Sequence, residues 1–290
     1  MPDNLPANRA PALSRAQRNN VINILRRAAK TEIMPRFRGL NAADIATKSG
    51  PDDLVTIADT AAEAMITRAL HMAFPGALVI GEEAVSADAS LLDKIADAPL
   101  CFIIDPIDGT WNYARGLSVF GIILAVTRYG KPAFGLIYDP VMDDWVIADD
   151  QGPAQMQHPS GVTRDLQASQ GGELAGLSGY VPLYLFDHAR RQKLASKLPD
   201  FGWVGSLRCS AHEYRMLAQG HVDFVLTESL NPWDHAAGVL ICQQAGGYVQ
   251  MLSGEDYTAT LRSGHLLAAP DKATWNRLAK AFKFLNDADL

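Results

Sequence analysis

The chain has 290 residues, enough for one large domain or two ordinary ones around a substantial core. With 48% hydrophobic and 20% charged residues and a mean hydropathy of -0.02, it is excluded from the disordered class. The 26 basic against 32 acidic residues give a net charge of -6, which opposes attraction to nucleic acid and to anionic membranes. Cys101, Cys209 and Cys242 have neither zinc-site spacing nor an even framework count, so a reducing, cytoplasmic setting is expected. The first twenty residues hold no apolar leader core, and the longest apolar run, Val119 to Val126, is well short of the roughly 20 residues a membrane span needs.

An apolar stripe of Val21, Ile24, Leu25 and Ala28 predicts a helix over 13–34, closed by Pro35. A second helix is expected from about Thr56 to Ala73, before Pro75 and Gly76. ALVIG (77–81) and CFIID (101–105) read as strands, with a short helix in LLDKIADA between them. From Val119 to Ala148 the pattern turns to β and predicts a meander of three antiparallel strands. Residues 151–172, rich in Gly, Pro, Gln and Ser, read as a loop or subdomain boundary that divides a single domain, 1–290, into 1–150 and 173–290. Beyond it, strands at 174–178, 202–206 and 222–228 alternate with helices at about 185–198, 210–219 and 232–245. A strand near 264–269 and a helix from Asp271 close the chain. This order predicts an α+β fold of stacked helix and sheet layers.

Three acidic clusters fall at the ends of these elements: Glu82 and Glu83 after ALVIG, Asp105 and Asp108 in IIDPIDGTWN, and Asp234 in NPWDHAAG. In the last, Asn231 is the expected N-cap and Pro232 the first helical residue, so Asp234 lies in the first turn. Carboxylates brought together without compensation would protonate or oppose folding, and divalent cations resolve the conflict. Oxygen donors without paired Cys or His point to Mg2+, with Mn2+ as a substitute. Two such ions suit phosphoryl transfer, and the backbone N–H groups of Gly109 and Thr110 are expected to face a phosphate.

GEE, DPIDGTWN and WDHAAG, in this order, resemble the inositol monophosphatase family, and the likeness extends through KSGPDDLVTIAD, GLIYDP and QQAGG over nearly the whole chain. The resemblance implies a layered αβαβα sandwich of the inositol monophosphatase and fructose-1,6-bisphosphatase type. It further implies a homodimer that hydrolyses a small phosphate monoester with two or three Mg2+ ions and is inhibited by Li+. Carried over by matching position, Glu82, Asp105 and the Ile107 carbonyl would hold one ion, and Asp105, Asp108 and Asp234 a second. Thr110, supported by Asp59, would orient the attacking water. Gly109, Thr110, Ser210 and Ala211 would lie against phosphate or substrate.

Simpler readings compete at several positions. Asp59 is three residues after Thr56, which is also the spacing of a helix cap, and Ser210 with Glu213 forms a capping-box pattern. Glu83 is either a contact to metal-bound water or a solvated neighbour. Asp143, Asp144, Asp149 and Asp150 read as a hydrophilic strand edge, and Trp233 as core. A haloacid-dehalogenase mechanism would need DxD where the chain has DPID. A non-catalytic metal-binding regulator of the same fold is a further alternative, as is an active phosphatase with an added protein partner. Within the resemblance, inositol phosphates compete with sugar phosphates, histidinol phosphate and 3'-phosphonucleotides. The glutamate that in inositol-specific members stands seven residues before the WD aspartate is here Thr227, with Glu228 one residue later. Strand alternation should therefore turn Glu228 away from the pocket.

Overall fold

The computed structural model describes residues 11–48, 50 and 52–287. Helix α1 (Arg15–Ala28) begins at a reciprocal cap between Ser14 and Gln17 and passes into a wider turn at Ala29–Ile33. A hairpin of β1 (Ile45–Thr47) and β2 (Leu54–Thr56) leads into α2 (Ile57–Ala73). There follow β3 (Leu78–Gly81), the short α3 (Glu82–Ala87), β4 (Cys101–Asp108) and the five-residue α4 (Thr110–Ala114). The segment expected as a short helix before β4 is a 3-10 run, Ala89–Ile95. The expected meander is β5 (Gly121–Arg128), β6 (Lys131–Asp139) and β7 (Asp144–Asp149).

Where composition predicts only a loop, the chain adds β8 (Gln155–Gln157) and β9 (Thr163–Asp165). These strands are short and polar, so no apolar alternation announces them; their ladders and backbone bonds from Ala154 and Ala168 to the end of a later helix hold them. With them the sheet has seven strands, in sequence order from β3 to β9. The second half comprises β10 (Ser178–Tyr180), α5 (His188–Lys197), β11 (Trp203–Gly205), α6 (Ser210–Ala218), β12 (Phe224–Thr227) and α7 (Pro232–Gln244). It ends with β13 (Tyr248–Met251), β14 (Leu266–Ala269) and α8 (Lys272–Ala281). The strand predicted at 174–178 begins later, because Leu174–Gly176 winds into a 3-10 turn. The order of this five-stranded sheet is β11-β10-β12-β14-β13.

Alternation along the strands decides which layer each side chain meets. On one face of the larger sheet, Phe102, Ile104 and Leu124 pack with Val21 and Leu25 of α1 and Ile66 and Leu70 of α2. On the other face, Ile103, Ile123 and Ala125 pack with Ala211 and Tyr214 of α6 and Ala236 and Leu240 of α7. The same cluster continues into Val225, Val249 and Ala268 of the smaller sheet, whose remaining face packs Phe224, Leu226 and Leu267 with Leu194, Trp275 and Leu278. The result is the five-layer αβαβα sandwich. Helix α7 lies almost on the strand beneath it: a Cβ at Gly135 of β6 would stand 2.8 Å from the Ala237 carbonyl oxygen.

Candidate active site

The DPID segment works through an irregularity in β4. Residues three apart on a regular strand point to opposite faces, yet Asp105 pairs with Ile123 and Asp108 with Gly121, so β4 holds one residue more than its partner. Pro106, which lacks an N–H for the ladder, sits inside this bulge. The extra residue returns both carboxylates to one side. Gly109 then adopts φ +87, a left-handed conformation, and a Cβ there would be 2.8 Å from the Val119 carbonyl oxygen.

The first turn of α7 brings Asp234 to the same place, and carboxylate oxygens of Asp105, Asp108 and Asp234 all lie within 4.8 Å of one another. Asp108 is held by the start of α6: its Oδ2 accepts the Ala211 N–H at 2.6 Å and the Cys209 thiol at 3.0 Å. Burial, reinforced by neighbouring carboxylates, pushes Asp105 and Asp234 well above the usual range and Asp108 up to about 6. The group is thus anionic at neutral pH only at considerable cost unless a cation joins it. The donors are oxygens; the nearby Cys209 thiol is kept protonated by burial and by Asp108.

Asp59 bonds to both the helix start and Thr110. Its Oδ2 caps α2 by accepting the Thr56 N–H at 2.9 Å and the Thr56 hydroxyl at 2.5 Å, while its Oδ1 accepts the Thr110 hydroxyl at 3.1 Å. Burial is the main cause that lifts Asp59 to about 7. The Thr110 hydroxyl also lies 2.8 Å from the Ile107 carbonyl oxygen.

Glu82 stands outside the tight group of three, and Lys48 bridges its Oε1 and that of Glu83, each at 2.7 Å. Sequence reasoning missed Lys48 as a site residue, although it opens the KSGPDD segment. It also missed Glu63 of α2, whose carboxylate accepts the N–H groups of Glu83 and Ala84 at 2.8 Å each and so fixes the start of α3. Gly81 leaves room for it, since a Cβ there would be 2.1 Å from the Glu63 carboxyl carbon.

Glu82, Asp105, Ile107, Asp108, Gly109, Thr110 and Asp234 line a cleft of about 480 Å3 that also includes Trp111, Tyr184, Arg208, Ser210, Thr227 and His235. Other expectations need correction. Ala211 is fully buried behind Asp108 and spends its N–H there, so it does not face a ligand; Ser210 does line the cleft. The Ser210–Glu213 capping box does not form, because the cap is Cys209 and Glu213 reaches back to the Leu207 N–H at 2.7 Å and the Ser206 hydroxyl at 3.1 Å. The aspartates of β7 are not a solvated edge, since β8 covers that strand and Arg26, Arg215 and Arg18 pair with Asp143, Asp144 and Asp149. Trp233 belongs to the core cluster and also borders the cleft. Thr227 lines the cleft, whereas Glu228 lies outside its lining, with Oε1 3.9 Å from His265 Nε2.

A family model described as the inositol monophosphatase family matches residues 16–287. The chain belongs to this family. Among its relatives, the Nus factor SuhB of Haemophilus influenzae is 30% identical over 268 residues, covering 90% of this chain and 96% of its own. A fructose-1,6-bisphosphatase/inositol-1-monophosphatase of Thermotoga maritima is 29% identical over 217 residues, covering 74% and 78%. Among solved structures, the IMPase of Thermotoga maritima superposes with a TM-score of 0.77 at 23% identity, over 93% of this chain and 98% of that one. As in these family members, the fold is the layered sandwich, and among the described residues no helix is long and apolar enough to cross a membrane.

Proposed function

We propose that the protein hydrolyses a small phosphate monoester, with Mg2+ as its cofactor and a polyol or sugar phosphate such as inositol 1-phosphate among its substrates. The observation that carries this reading is the group of three carboxylates, two of them buried, that meet in one cleft beside Thr110, whose hydroxyl is bonded to Asp59 behind it. Asp105, Asp108, Asp234, Glu82 and the Ile107 carbonyl would hold the ions, which supply charge neutralisation to the phosphate and acidify water when bound. Lys48 already supplies one positive charge to Glu82 and Glu83.

The protein's own part in the reaction follows from Thr110. A hydroxyl carries one proton, so it donates fully either to Ile107 or to Asp59. With the Ile107 carbonyl engaged elsewhere, the proton turns to Asp59 and an oxygen lone pair is free to accept a hydrogen bond from the attacking water. That bond strengthens as the water passes its proton to Thr110 while Thr110 passes its own to Asp59, whose carboxylate, raised to about 7 by burial, is matched to accept a proton near neutral pH. The N–H groups of Gly109 and Thr110 would orient the phosphate.

The test is phosphate release from a panel of monoesters, including inositol 1-phosphate, a sugar phosphate, histidinol phosphate and a 3'-phosphonucleotide, with and without chelator. Release that survives exhaustive chelation, or full activity in Asp105→Asn, would overturn the reading. Several relatives are named Nus factors, which favours a second role beside phosphate release, one that phosphatase activity does not preclude.

A further inference from the structure

Arg208 is placed in an unusual way. It adopts φ +53, a left-handed conformation that a long side chain rarely takes, so its position has to be imposed by its surroundings. The restraint is the network already met at Glu213: the Ser206 hydroxyl donates to Glu213 and accepts the Arg208 N–H at 3.1 Å. The side chain is directed into the mouth of the cleft, where its guanidinium carbon lies 4.3 Å from the centre of the Trp111 ring and 4.4 Å from that of Tyr184. Both ends of the arrangement adjoin the chemistry, since Trp111 follows Thr110 and Arg208 precedes Cys209, the thiol bonded to Asp108.

Aromatic contact engages the flat surface of the guanidinium and leaves its in-plane N–H edge to meet a ligand. That edge is underused. Nε is buried and has no hydrogen-bond partner, and the ion pair with Asp52, 3.2 Å away, involves a carboxylate side chain that is 59% exposed and that also accepts the Trp111 indole N–H at 3.1 Å. Such an exposed pair is weak and readily exchanged. Among the described residues lining the cleft, Arg208 is the sole Arg or Lys. A group with donors only and a permanent charge is best matched by an oxyanion. A stacked nucleobase is less well matched, because Arg115 at 4.0 Å and Arg208 already cover the Trp111 ring.

We propose that Arg208 is a specificity-determining residue that reads a second oxyanion on the substrate, a carboxylate or a further phosphate, beside the phosphate being cleaved. This rests on the phosphatase reading and adds to it a preference for doubly anionic esters. Asp52 holds the guanidinium until that oxyanion replaces it.

The experiment compares matched pairs with and without the second anion: 3-phosphoglycerate against glycerol 3-phosphate for the carboxylate, and fructose 1,6-bisphosphate against fructose 1-phosphate for the phosphate. The preference in kcat/KM for the doubly anionic member should be about tenfold or more and should shrink about tenfold in Arg208→Gln, chiefly through KM. Asp52→Asn removes the competing carboxylate and should lower KM for the doubly anionic esters selectively, a gain that misfolding cannot imitate. The proposal is overturned if Arg208→Gln reduces both members of each pair equally, or if Asp52→Asn favours neither. Calorimetric binding of the same ligands reads the same ratio without turnover. A chain that binds with this preference yet releases no phosphate would overturn the phosphatase reading and keep the role of Arg208. Equal binding of both members would overturn that role. A preference for a 3'-phosphonucleotide over both doubly anionic sets, retained in Arg208→Gln, would assign the aromatic pair to a base instead and also overturn it.

Discussion

Two groups of aspartates in this molecule look alike in the sequence and differ in what surrounds them. At the ends of β7, Asp143 receives both Arg26 donors, at 2.7 and 2.6 Å, Asp144 receives Arg215 at 2.5 Å, and Asp149 pairs with Arg18. Those arginines come from α1 and α6, on opposite faces of the large sheet, and complete their charge balance within the protein. Asp105, Asp108 and Asp234 gather more closely and more deeply, and their hydrogen bonds come from backbone, a thiol and an amide rather than from a cationic side chain. An acidic group whose counter-charge is built in stabilises the fold. One that lacks it is, on the proposed function, arranged for a charge from outside.

The sharpest way to break this contrast is to neutralise one charge in each group, beginning with the inner one. Asp105→Asn should lower kcat/KM by about a thousandfold or more while raising the melting temperature of the metal-free protein, since it relieves repulsion. Phosphate-release kinetics and thermal melts check both halves. An unchanged rate would sink the assignment of the inner group to catalysis.

Next in size is Thr110→Ala, expected to reduce kcat about a hundredfold with little change in KM. Asp59→Asn should show a milder kinetic loss together with about 0.5 to 2 kcal/mol of lost stability, because its carboxylate also caps α2. A stability loss with intact kcat would reduce Asp59 to a cap.

In the outer group, Arg215→Met strands Asp144 in a largely buried setting and should cost about 3 kcal/mol in urea unfolding. Activity of the folded variant should stay within about twofold of wild type, because nothing in this pair touches the cleft. A large drop in kcat would mean that α6 transmits the pair's geometry to Asp108.

The smallest effect is one of sign. Arg26 holds Asp143 below the usual carboxylate range, so its contribution to stability is present above about pH 4 and is lost as pH falls below it. Burial raises Asp108 to about 6 and the other inner aspartates in the same direction, so their contribution is fully present below about pH 4 and is lost as pH rises through about 6 and beyond. Mg2+ should therefore raise the melting temperature more at about pH 7.5 than at about pH 5. The reverse dependence would contradict the charge argument for the inner group.

The sequence made the inner group legible because DPID and WDHAAG each place an acidic residue at the end of an element, but it ended the strand at Asp105, whereas β4 runs on through Pro106 in a bulge to Asp108. It made the meander and α7 legible for the ordinary reason that their apolar periods are clear. It could not reveal that Asp143, Asp144 and Asp149 meet arginines more than 70 positions away in the chain, so a balanced cluster read as a solvated edge. Arg208 and Glu213 were missed for a related reason. A left-handed arginine held by a backward-reaching glutamate has no local pattern, and the apparent SAHE capping box actively misdirected the reading.

The contact between β6 and α7 has a consequence for how the site is gauged. Gly135 lies in the middle of a strand and carries no functional group, yet its missing side chain sets how near the helix bearing Asp234 can approach the sheet bearing Asp105 and Asp108. It works as a spacer of zero thickness. Gly135→Ala would add one methyl between the two supports, so a catalytic distance would be detuned from within the core by a residue that no ligand can reach.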